Sequence, residues 1–477
     1  MTSSPREEIP FISIGGGLGS FALVHRLRIA GVPEDDIRVI SPHRAPYERF
    51  AALCRASGLL DEDKLRSDSS ARMDNLWGFP SYAVEESWRT RRPGPLARVL
   101  AEPVLCDYYT PSVGLMRAGM ARETDRIGWD SMLVEGSAIK VARQTGGGYL
   151  VLVRRDGADR PVAYRCGHVH LALGPAALQI SPEAAEFRSG PLGGDRIVHI
   201  YEPHEHVHEA LAAQGGEVLV RGTGIAASRV LQRLIDDREA SGQDVRIRHL
   251  FRHYQRGDVG PIWFRKRGGY GFSHQAFNFP KAAVAGQLRD RTRRLAEDER
   301  IEFVKEIGAT STPYRGYWAS QLRRGRDEGW YQAVVGEVAA FKTDGDEVVA
   351  RISLDTGKAL EVRAGFVIDA TGVDRDSRRH PLLADLVADT DASVNPLGGL
   401  RIDEDFTVVG AESGDGRVFA SGMNAQGGYL APVDSFAGLH SAAMSIADAL
   451  AGRGIGHRLT PLKSVLGWLK WMRGQQP

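Results

Sequence analysis

Two short glycine-rich segments constrain this chain more than any other feature. Gly15-Gly16-Gly17-Leu18-Gly19-Ser20 follows the apolar run Pro10-Phe11-Ile12-Ser13-Ile14, and Gly222-Thr223-Gly224-Ile225-Ala226-Ala227 follows Glu217-Val218-Leu219-Val220. After each turn, apolar residues recur at helical spacing, from Phe21 to Leu27 and from Ser228 to Ile235. Strand, glycine turn and helix form the local grammar of a dinucleotide-binding unit. The first glycine permits the tight turn, and the second lets the backbone approach a pyrophosphate. The third position needs a small residue for helix–strand packing. Ser20 and Ala227 fill that third position. The helix N-terminus then offers free N–H groups and a positive dipole end to phosphates. A single turn of this kind also occurs in ordinary loops, so the second copy carries the argument for two bound dinucleotides.

The segments downstream of the two turns also repeat. Gly147-Gly148 opens Tyr149-Leu150-Val151-Leu152-Val153, which leads through Asp156-Gly157 to His168-Val169-His170-Leu171-Ala172-Leu173-Gly174. Glu347 to Ser353 leads through Thr356-Gly357 to Phe366-Val367-Ile368-Asp369-Ala370-Thr371-Gly372. Both are hairpin patterns followed by an apolar strand that ends on a small residue and glycine. The expected fold is α/β, with two Rossmann-like doubly wound domains. A chain of 477 residues has room for both.

Charge and cysteine content narrow the function. Lys and Arg number 61 against 60 Asp and Glu, so neither nucleic acid nor an anionic membrane is indicated as the main partner, and a small-molecule substrate is expected. Cys54, Cys106 and Cys166 are far apart and form no Cys-x-x-Cys pair, which excludes a dithiol redox centre and a disulfide framework. The first ten residues lack a signal-peptide pattern, and no apolar run is long enough to span a bilayer. A cytoplasmic enzyme without a transmembrane segment is expected.

These residues resemble the flavoproteins with two dinucleotide-binding domains, in which a nicotinamide domain is inserted in an FAD domain. The resemblance implies an FAD domain formed by residues 1–180 and 371–455, an NADPH domain over 181–370, and a C-terminal amphipathic helix over 456–477. In that family a strand end with a small residue and glycine marks each crossing between domains, and Leu171-Ala172-Leu173-Gly174 and Asp369-Ala370-Thr371-Gly372 look like those marks. A strand ending near the flavin is followed by a helix aimed at its ring. Arg417-Val418-Phe419-Ala420-Ser421-Gly422 and a helix beginning around Asp434 look like this pair, and Met423 stands where many relatives carry aspartate. The resemblance therefore implies that Gly15, Gly16, Gly17, Gly19, Ser20, Ser41, Gly422, Met423 and Asp434 contact FAD. Ser41 replaces the acidic residue that usually holds the adenosine ribose. Gly222, Gly224, Ala227 and Gly372 would serve the nicotinamide cofactor.

Without a cysteine pair the disulfide reductases fit poorly. The class B flavin monooxygenases fit better, nearest the amine N-hydroxylating branch related to ornithine and lysine hydroxylases. Phe272-Ser273-His274-Gln275-Ala276-Phe277-Asn278-Phe279-Pro280 resembles that branch's Phe-x-Asn-Glu-x-Phe-x-Pro segment, with His274-Gln275 in place of Asn-Glu. The basic run Val245-Arg246-Ile247-Arg248-His249-Leu250-Phe251-Arg252, with Arg256 and Arg265-Lys266-Arg267 beyond it, favours NADPH over NADH, and Arg252 is the candidate for the 2′-phosphate. The implied reaction is hydroxylation of a small, amine-bearing molecule by dioxygen through a flavin hydroperoxide. No individual catalytic side chain is indicated, because the flavin carries the chemistry.

Other readings stay open beside this one. An FAD-dependent NAD(P)H oxidoreductase could act without oxygen insertion. His204-Glu205-His206-Val207-His208 matches His-Glu-x-x-His, so a zinc hydrolase using His204, Glu205 and His208 is a second alternative. The aromatic segment from Ala45 to Thr110, with Pro46-Tyr47, Met73 to Pro80 and Trp88, either shapes a pocket or packs as a loop. At the C-terminus Leu462, Val465, Leu466, Leu469 and Met472 recur at helical spacing among Lys463, Trp468, Lys470, Trp471 and Arg473. Such a helix suits docking on its own domain, a second subunit of a homo-oligomer, or a membrane surface.

Overall fold

Apolar runs bounded by turns become strands buried on both faces, as expected where helices cover a parallel sheet. In the computed structural model of the chain, the described residues are 8–66, 79–105, 109–155, 157–158, 160–252, 267–269, 272–274, 279–307, 316–473 and 475. Of the residues singled out above, 73–78, Cys106, Asp156, Arg256, Arg265, Lys266 and 275–278 lie outside them.

The first sheet is built from β1 (Ile9–Ile14), β2 (Ile37–Ser41), β3 (Leu133–Glu135), β4 (Ser137–Arg143), β5 (Tyr149–Arg154) and β6 (Val162–Leu171), in the order β3-β2-β1-β6-β5-β4. Its β1, β2, β3 and β6 run parallel, whereas β4, β5 and β6 form an antiparallel meander. The second sheet contains β7 (Ile197–His199), β8 (Gly216–Arg221) and β9 (Val245–Phe251). After a small ribbon of β10 (Arg267–Gly269) and β11 (Phe272–His274), it continues with β12 (Tyr331–Asp344), β13 (Glu347–Leu354), β14 (Ala359–Ala364) and β15 (Phe366–Asp369). Its order is β14-β13-β12-β9-β8-β15-β7. The chain then returns, and β16 (Val418–Ala420) pairs in parallel with β6.

Both sheets therefore share one plan. The strand before each glycine turn lies between the strand that follows it and one reached after a meander: β1 between β2 and β6, β8 between β9 and β15. In the first sheet the single long β6 pairs with both the meander and β1. In the second, Gly365 divides this role between β14 and β15. Strand order reverses beside β1 and beside β8, and a crevice opens outside the carboxyl ends of the strands at such switch points.

Seven helices matter for the site and its surroundings: α1 (Leu18–Ile29), α2 (Glu48–Ala56), α3 (Val113–Arg126), α4 (Glu205–Gln214), α5 (Ile225–Ser241), α6 (Phe436–Ala451) and α7 (Pro461–Met472). α1 is buried on all sides from Ser20 to Leu27, and its Phe21, Leu23, Val24 and Leu27 join a core that includes Phe11, Trp129, Tyr149 and Phe419. Val230, Leu231, Leu234 and Ile235 of α5 join a separate core with Val218, Val220, Trp318 and Tyr331.

Candidate functional site

The first turn is shaped by close backbone contacts. Gly15 has φ of +93°, and a Cβ on it would come within 2.5 Å of the Ala172 carbonyl oxygen. A Cβ on Gly16 would lie 2.6 Å from that of Ser41, so the turn packs directly onto the end of β2. Gly17 faces open space, its nearest neighbour being its own turn's Gly15 oxygen at 3.8 Å. It starts α1 without any side-chain cap. Elsewhere Ser112 caps α3 and Ser435 caps α6 through their hydroxyls. An uncapped helix start beside an open glycine leaves N–H donors free for an anion.

Beneath this turn runs a buried chain of hydrogen bonds. Ser13 Oγ donates to Ser20 Oγ at 2.8 Å, and Ser20 Oγ donates to the Gly15 carbonyl at 3.1 Å. His170 Nδ1 lies 2.8 Å from Ser13 Oγ, and its Nε2 lies 2.8 Å from Ser421 Oγ. Because Ser13 spends its proton on Ser20, Nδ1 must be the protonated nitrogen and Nε2 must accept from Ser421. The polarity therefore runs one way, from Ser421 through His170, Ser13 and Ser20 to the Gly15 carbonyl. Burial pushes the His170 pKa down to about 3, which keeps the ring neutral as this chain requires. Ser20, expected only to be small, is a hydrogen-bonding member of the turn. A Cβ on Gly19 would meet Ser421 Oγ at 3.0 Å, which sets the end of β16 and Gly422 directly beside the turn.

The second turn reaches a similar result with other residues. Gly222 has φ of +118°, and a Cβ there would be driven into the Ala370 carbonyl. Gly224 faces open space and starts α5 without a side-chain cap. His249 Nε2 donates to the Gly222 carbonyl at 2.6 Å, and Tyr331 Oη donates to Nδ1 at 2.8 Å. Burial pushes the His249 pKa down to about 4, although the bond to Gly222 works in the opposite direction. Ala227 is fully buried behind the turn and serves packing alone.

A cavity of about 880 Å³ joins the two halves. From the second sheet it is lined by Arg221, Gly222 to Ala226, Arg252, Glu337 and Gly372. From the first come Leu18, Phe50, Cys54, Met423, Asp434 and Phe436. Six predicted residues, Gly222, Gly224, Arg252, Gly372, Met423 and Asp434, thus meet on one cavity. Gly15, Gly16, Gly17, Gly19, Ser20, Ser41 and Gly422 instead surround the first turn. Ser41 is almost wholly buried, and its Oγ accepts from the His43 N–H at 3.0 Å, so the hydroxyl is engaged in the local turn.

The helix expected around Asp434 begins at Phe436, with Ser435 as its cap, accepting from the Gly438 N–H at 3.0 Å. Asp434 stays outside, with its carboxylate 3.5 Å from Arg375. Both residue types favour the cap position, and the hydroxyl takes it here.

The cavity wall is rich in cations. Arg66, Arg221, Arg229, Arg252 and Arg375 stand against three carboxylates, each with an arginine beside it. Glu183 lies 3.1 Å from Arg221, Glu337 3.8 Å from Arg252, and Asp434 3.5 Å from Arg375. Burial raises the Glu183 carboxyl, but the Ser181 hydroxyl, its own backbone N–H and Arg221 outweigh it and hold the pKa below the usual range. Arg221 also reaches Asp369 at 3.2 Å, and Arg229 has its own carboxylate in Asp63, so the charges along the wall are matched rather than in surplus. Sequence reasoning missed Arg66 and Arg229. Arg66 donates to the Ser228 carbonyl and to Gln232, and Arg229 pairs with Asp63 at 2.9 Å, so residues near 63–66 grip the start of α5. Cys54 was noted only for what it does not form. It lines the cavity as a thiol, its pKa pushed up to about 12 by burial.

The His-Glu-x-x-His segment is placed at the start of α4. His204 and His208 have ring centroids 5.4 Å apart; His204 Nδ1 bonds the Glu202 carbonyl, His208 Nδ1 bonds Asp237, and both Nε2 atoms are buried without a hydrogen-bond partner. Glu205, the residue a hydrolase would use as base, forms an ion pair with Arg233. Among the described residues no third His, Cys, Asp or Glu completes a metal-sized group. Among the described residues the zinc alternative thus lacks a third ligand.

No protein-family model matches the sequence, and no curated protein does. Solved structures match in fold. An ornithine N-hydroxylase from Kutzneria sp. 744, determined with reduced FAD, NADP+ and L-ornithine, is 14% identical, with 94% of this chain and 100% of that chain covered at a TM-score of 0.64. An FAD-bound cadaverine monooxygenase from Erwinia amylovora is 11% identical, with 94% and 96% covered at a TM-score of 0.66. A bacillithiol disulfide reductase from Bacillus cereus is 14% identical, with 94% and 100% covered at a TM-score of 0.52. At these identities the likeness is one of fold, and the chain has the two-Rossmann α/β fold that amine hydroxylases and a disulfide reductase share.

Proposed function

We propose that the chain is an FAD-dependent, NADPH-consuming monooxygenase that hydroxylates a small, amine-bearing molecule with dioxygen. The observation that carries this reading is the cavity itself: the second glycine turn opens onto the same space as Met423, Asp434 and Phe436 at the flavin end of the first sheet. A nicotinamide held on one turn can then meet a flavin held on the other. Residues 1–180 and 371–455 form the FAD part, residues 181–370 the NADPH part, and residues 456–477 the terminal helix and tail.

The residues fit the two cofactors. Two helix starts without side-chain caps, each beside a glycine facing open space, suit two pyrophosphates. FAD, when bound, accepts hydride and activates oxygen. The protein's part is placement and exclusion of water. Gly15, Gly16, Gly17 and Gly19 seat one pyrophosphate, while Ser20, Ser41 and Gly422 shape that turn. Gly222 and Gly224 seat the other, with Gly372 and Ala227 supporting it. Arg252, at the end of β9, takes the 2′-phosphate of NADPH. Fold-level likeness to the amine hydroxylases supports the choice of amine, whereas the absence of a Cys-x-x-Cys pair speaks against the disulfide-reductase chemistry found on the same fold.

The deciding experiment supplies NADPH and oxygen-18 gas to the purified yellow protein with ornithine, lysine or cadaverine. Incorporation of labelled oxygen into the amine, with matching NADPH loss, is the expected result. NADPH oxidation that proceeds anaerobically with an organic acceptor and labels no amine establishes the reductase alternative instead. Colourless protein holding stoichiometric zinc overturns the flavoprotein reading.

A further inference from the structure

We propose that α7 is a membrane-surface helix that docks the folded protein onto anionic lipid. Among the described side chains, the helix meets the first domain on the side of Ser464 and Gly467. Ser464 is buried, and a Cβ on Gly467 would touch Ile29 at 3.8 Å. Just before it, the Gly456–His457 segment packs against residues 30–32, with the His457 N–H bonded to the Ala30 carbonyl. The opposite side carries Leu462, Val465, Leu466 and Leu469, with relative exposures of 68%, 50%, 50% and 38%. At 100° per residue these four span one continuous stripe, so the helix presents an apolar ridge to solvent rather than isolated side chains.

Charge identifies what covers the ridge. From Ala449 to Pro477 the chain has Arg453, Arg458, Lys463, Lys470 and Arg473 and no acidic residue, although the whole molecule is almost neutral. All five are exposed, and none pairs with a carboxylate among the described residues. Lys463 and Lys470 border the ridge along one flank of the helix, and Arg473 stands at its C-terminal end. A second copy of this chain docking helix to helix would oppose two copies of this acid-free, cationic segment, which repel. An anionic bilayer satisfies both features: the acyl boundary receives the ridge, and the headgroups meet the lysines and arginines. No described helix is long and apolar enough to cross a membrane, so the contact lies in the interface plane.

The test sediments the full chain with vesicles of pure phosphatidylcholine and with vesicles of equal parts phosphatidylcholine and phosphatidylglycerol. At low salt, binding to the mixed vesicles is expected to be tighter by about tenfold or more, and added salt should weaken it. Val465→Asp and Leu466→Asp, both at exposed positions, should abolish binding, and Lys463→Glu with Lys470→Glu should remove the preference for phosphatidylglycerol. Leu100→Asp, at an equally exposed leucine elsewhere, should leave binding intact. Thermal melting of each variant shows that the fold is retained. Failure to bind either vesicle overturns the proposal, as does binding that survives Leu466→Asp. A dimer in solution that Leu466→Asp dissolves assigns the ridge to a second copy and also overturns it.

Discussion

Replacing Arg252 tests the NADPH assignment most directly. Its side chain is 71% exposed at the rim of the cavity, and Glu337 is 3.8 Å away. A hydrogen bond to a charged group contributes about 1.5–3 kcal/mol when shielded. Solvent around Arg252 reduces this to about 1–2 kcal/mol, a loss of roughly 5- to 30-fold in NADPH affinity on Arg252→Ala. NADH, which lacks the phosphate, should lose less than about twofold. Glu337 repels the same phosphate with about 1 kcal/mol at such a separation in water, so Glu337→Gln should tighten NADPH by no more than about fivefold. Titration of each variant with NADPH and NADH, at low and high salt, reads all of these effects. Equal weakening of both nucleotides by Arg252→Ala refutes the phosphate contact, and weaker NADPH binding in Glu337→Gln removes the electrostatic argument behind it.

Three further expectations rest on buried groups. Gly15→Ala must place a Cβ 2.5 Å from the Ala172 oxygen at φ of +93°, so the protein should purify with its flavin largely lost, read from the ratio of visible to ultraviolet absorbance; full flavin content contradicts the assignment of this turn. Burial lowers the pKa of His168 and His249 to about 4 and that of His170 to about 3. As pH falls the unfolded chain therefore takes up protons first. The stability of these neutral rings is complete above about pH 6.5 and lost toward pH 4, at up to about 1.4 kcal/mol per pH unit for each histidine. Urea melts across this window should show the slope, and His170→Gln should flatten it by one proton; an unchanged slope rules out a neutral buried His170. In a Cys54→Ser, Cys106→Ser background, Cys166 should react with a thiol reagent at pH 8 only as fast as the protein unfolds, because it is fully buried and burial raises its thiol. Rapid labelling of the native protein contradicts that placement.

Much of the fold was legible because its determinants are local. Strand, glycine turn and helix lie within about twenty residues of one another, and the turns at Gly15 and Gly222 fall where that grammar places them. The cavity wall was less legible. Arg66 reaches Ser228 and Gln232 across a long stretch of chain, and no spacing rule announces such a contact. Near the start of α6, Asp434 and Ser435 are both good caps, and only the fold decides which oxygen faces the Gly438 N–H. At Ser41 the expected ribose contact rested on residue type, whereas the structure engages its hydroxyl with the His43 N–H.

Ser20 shows why a departure from the glycine pattern need not weaken the site. A phosphate can approach a turn only if the N–H groups face it and the turn's carbonyls are engaged elsewhere. In the first turn Ser20 donates to the Gly15 carbonyl, and the chain behind it runs through Ser13 to His170. Ala227 has no hydroxyl for this task, and in the second turn His249 donates to the Gly222 carbonyl directly. Each turn thus has its first-glycine carbonyl held from the buried side, by whichever neighbour carries a proton to donate. An orphaned buried donor or acceptor costs about 1–3 kcal/mol, so removing either donor also leaves an unpaired group in the core. Ser20→Gly, which restores the family residue, should therefore hold the flavin less well than the native serine, whereas a turn that needs only a small residue would lose nothing. Retained or improved flavin affinity in Ser20→Gly refutes the hydrogen-bonding role and leaves size as the sole requirement at that position.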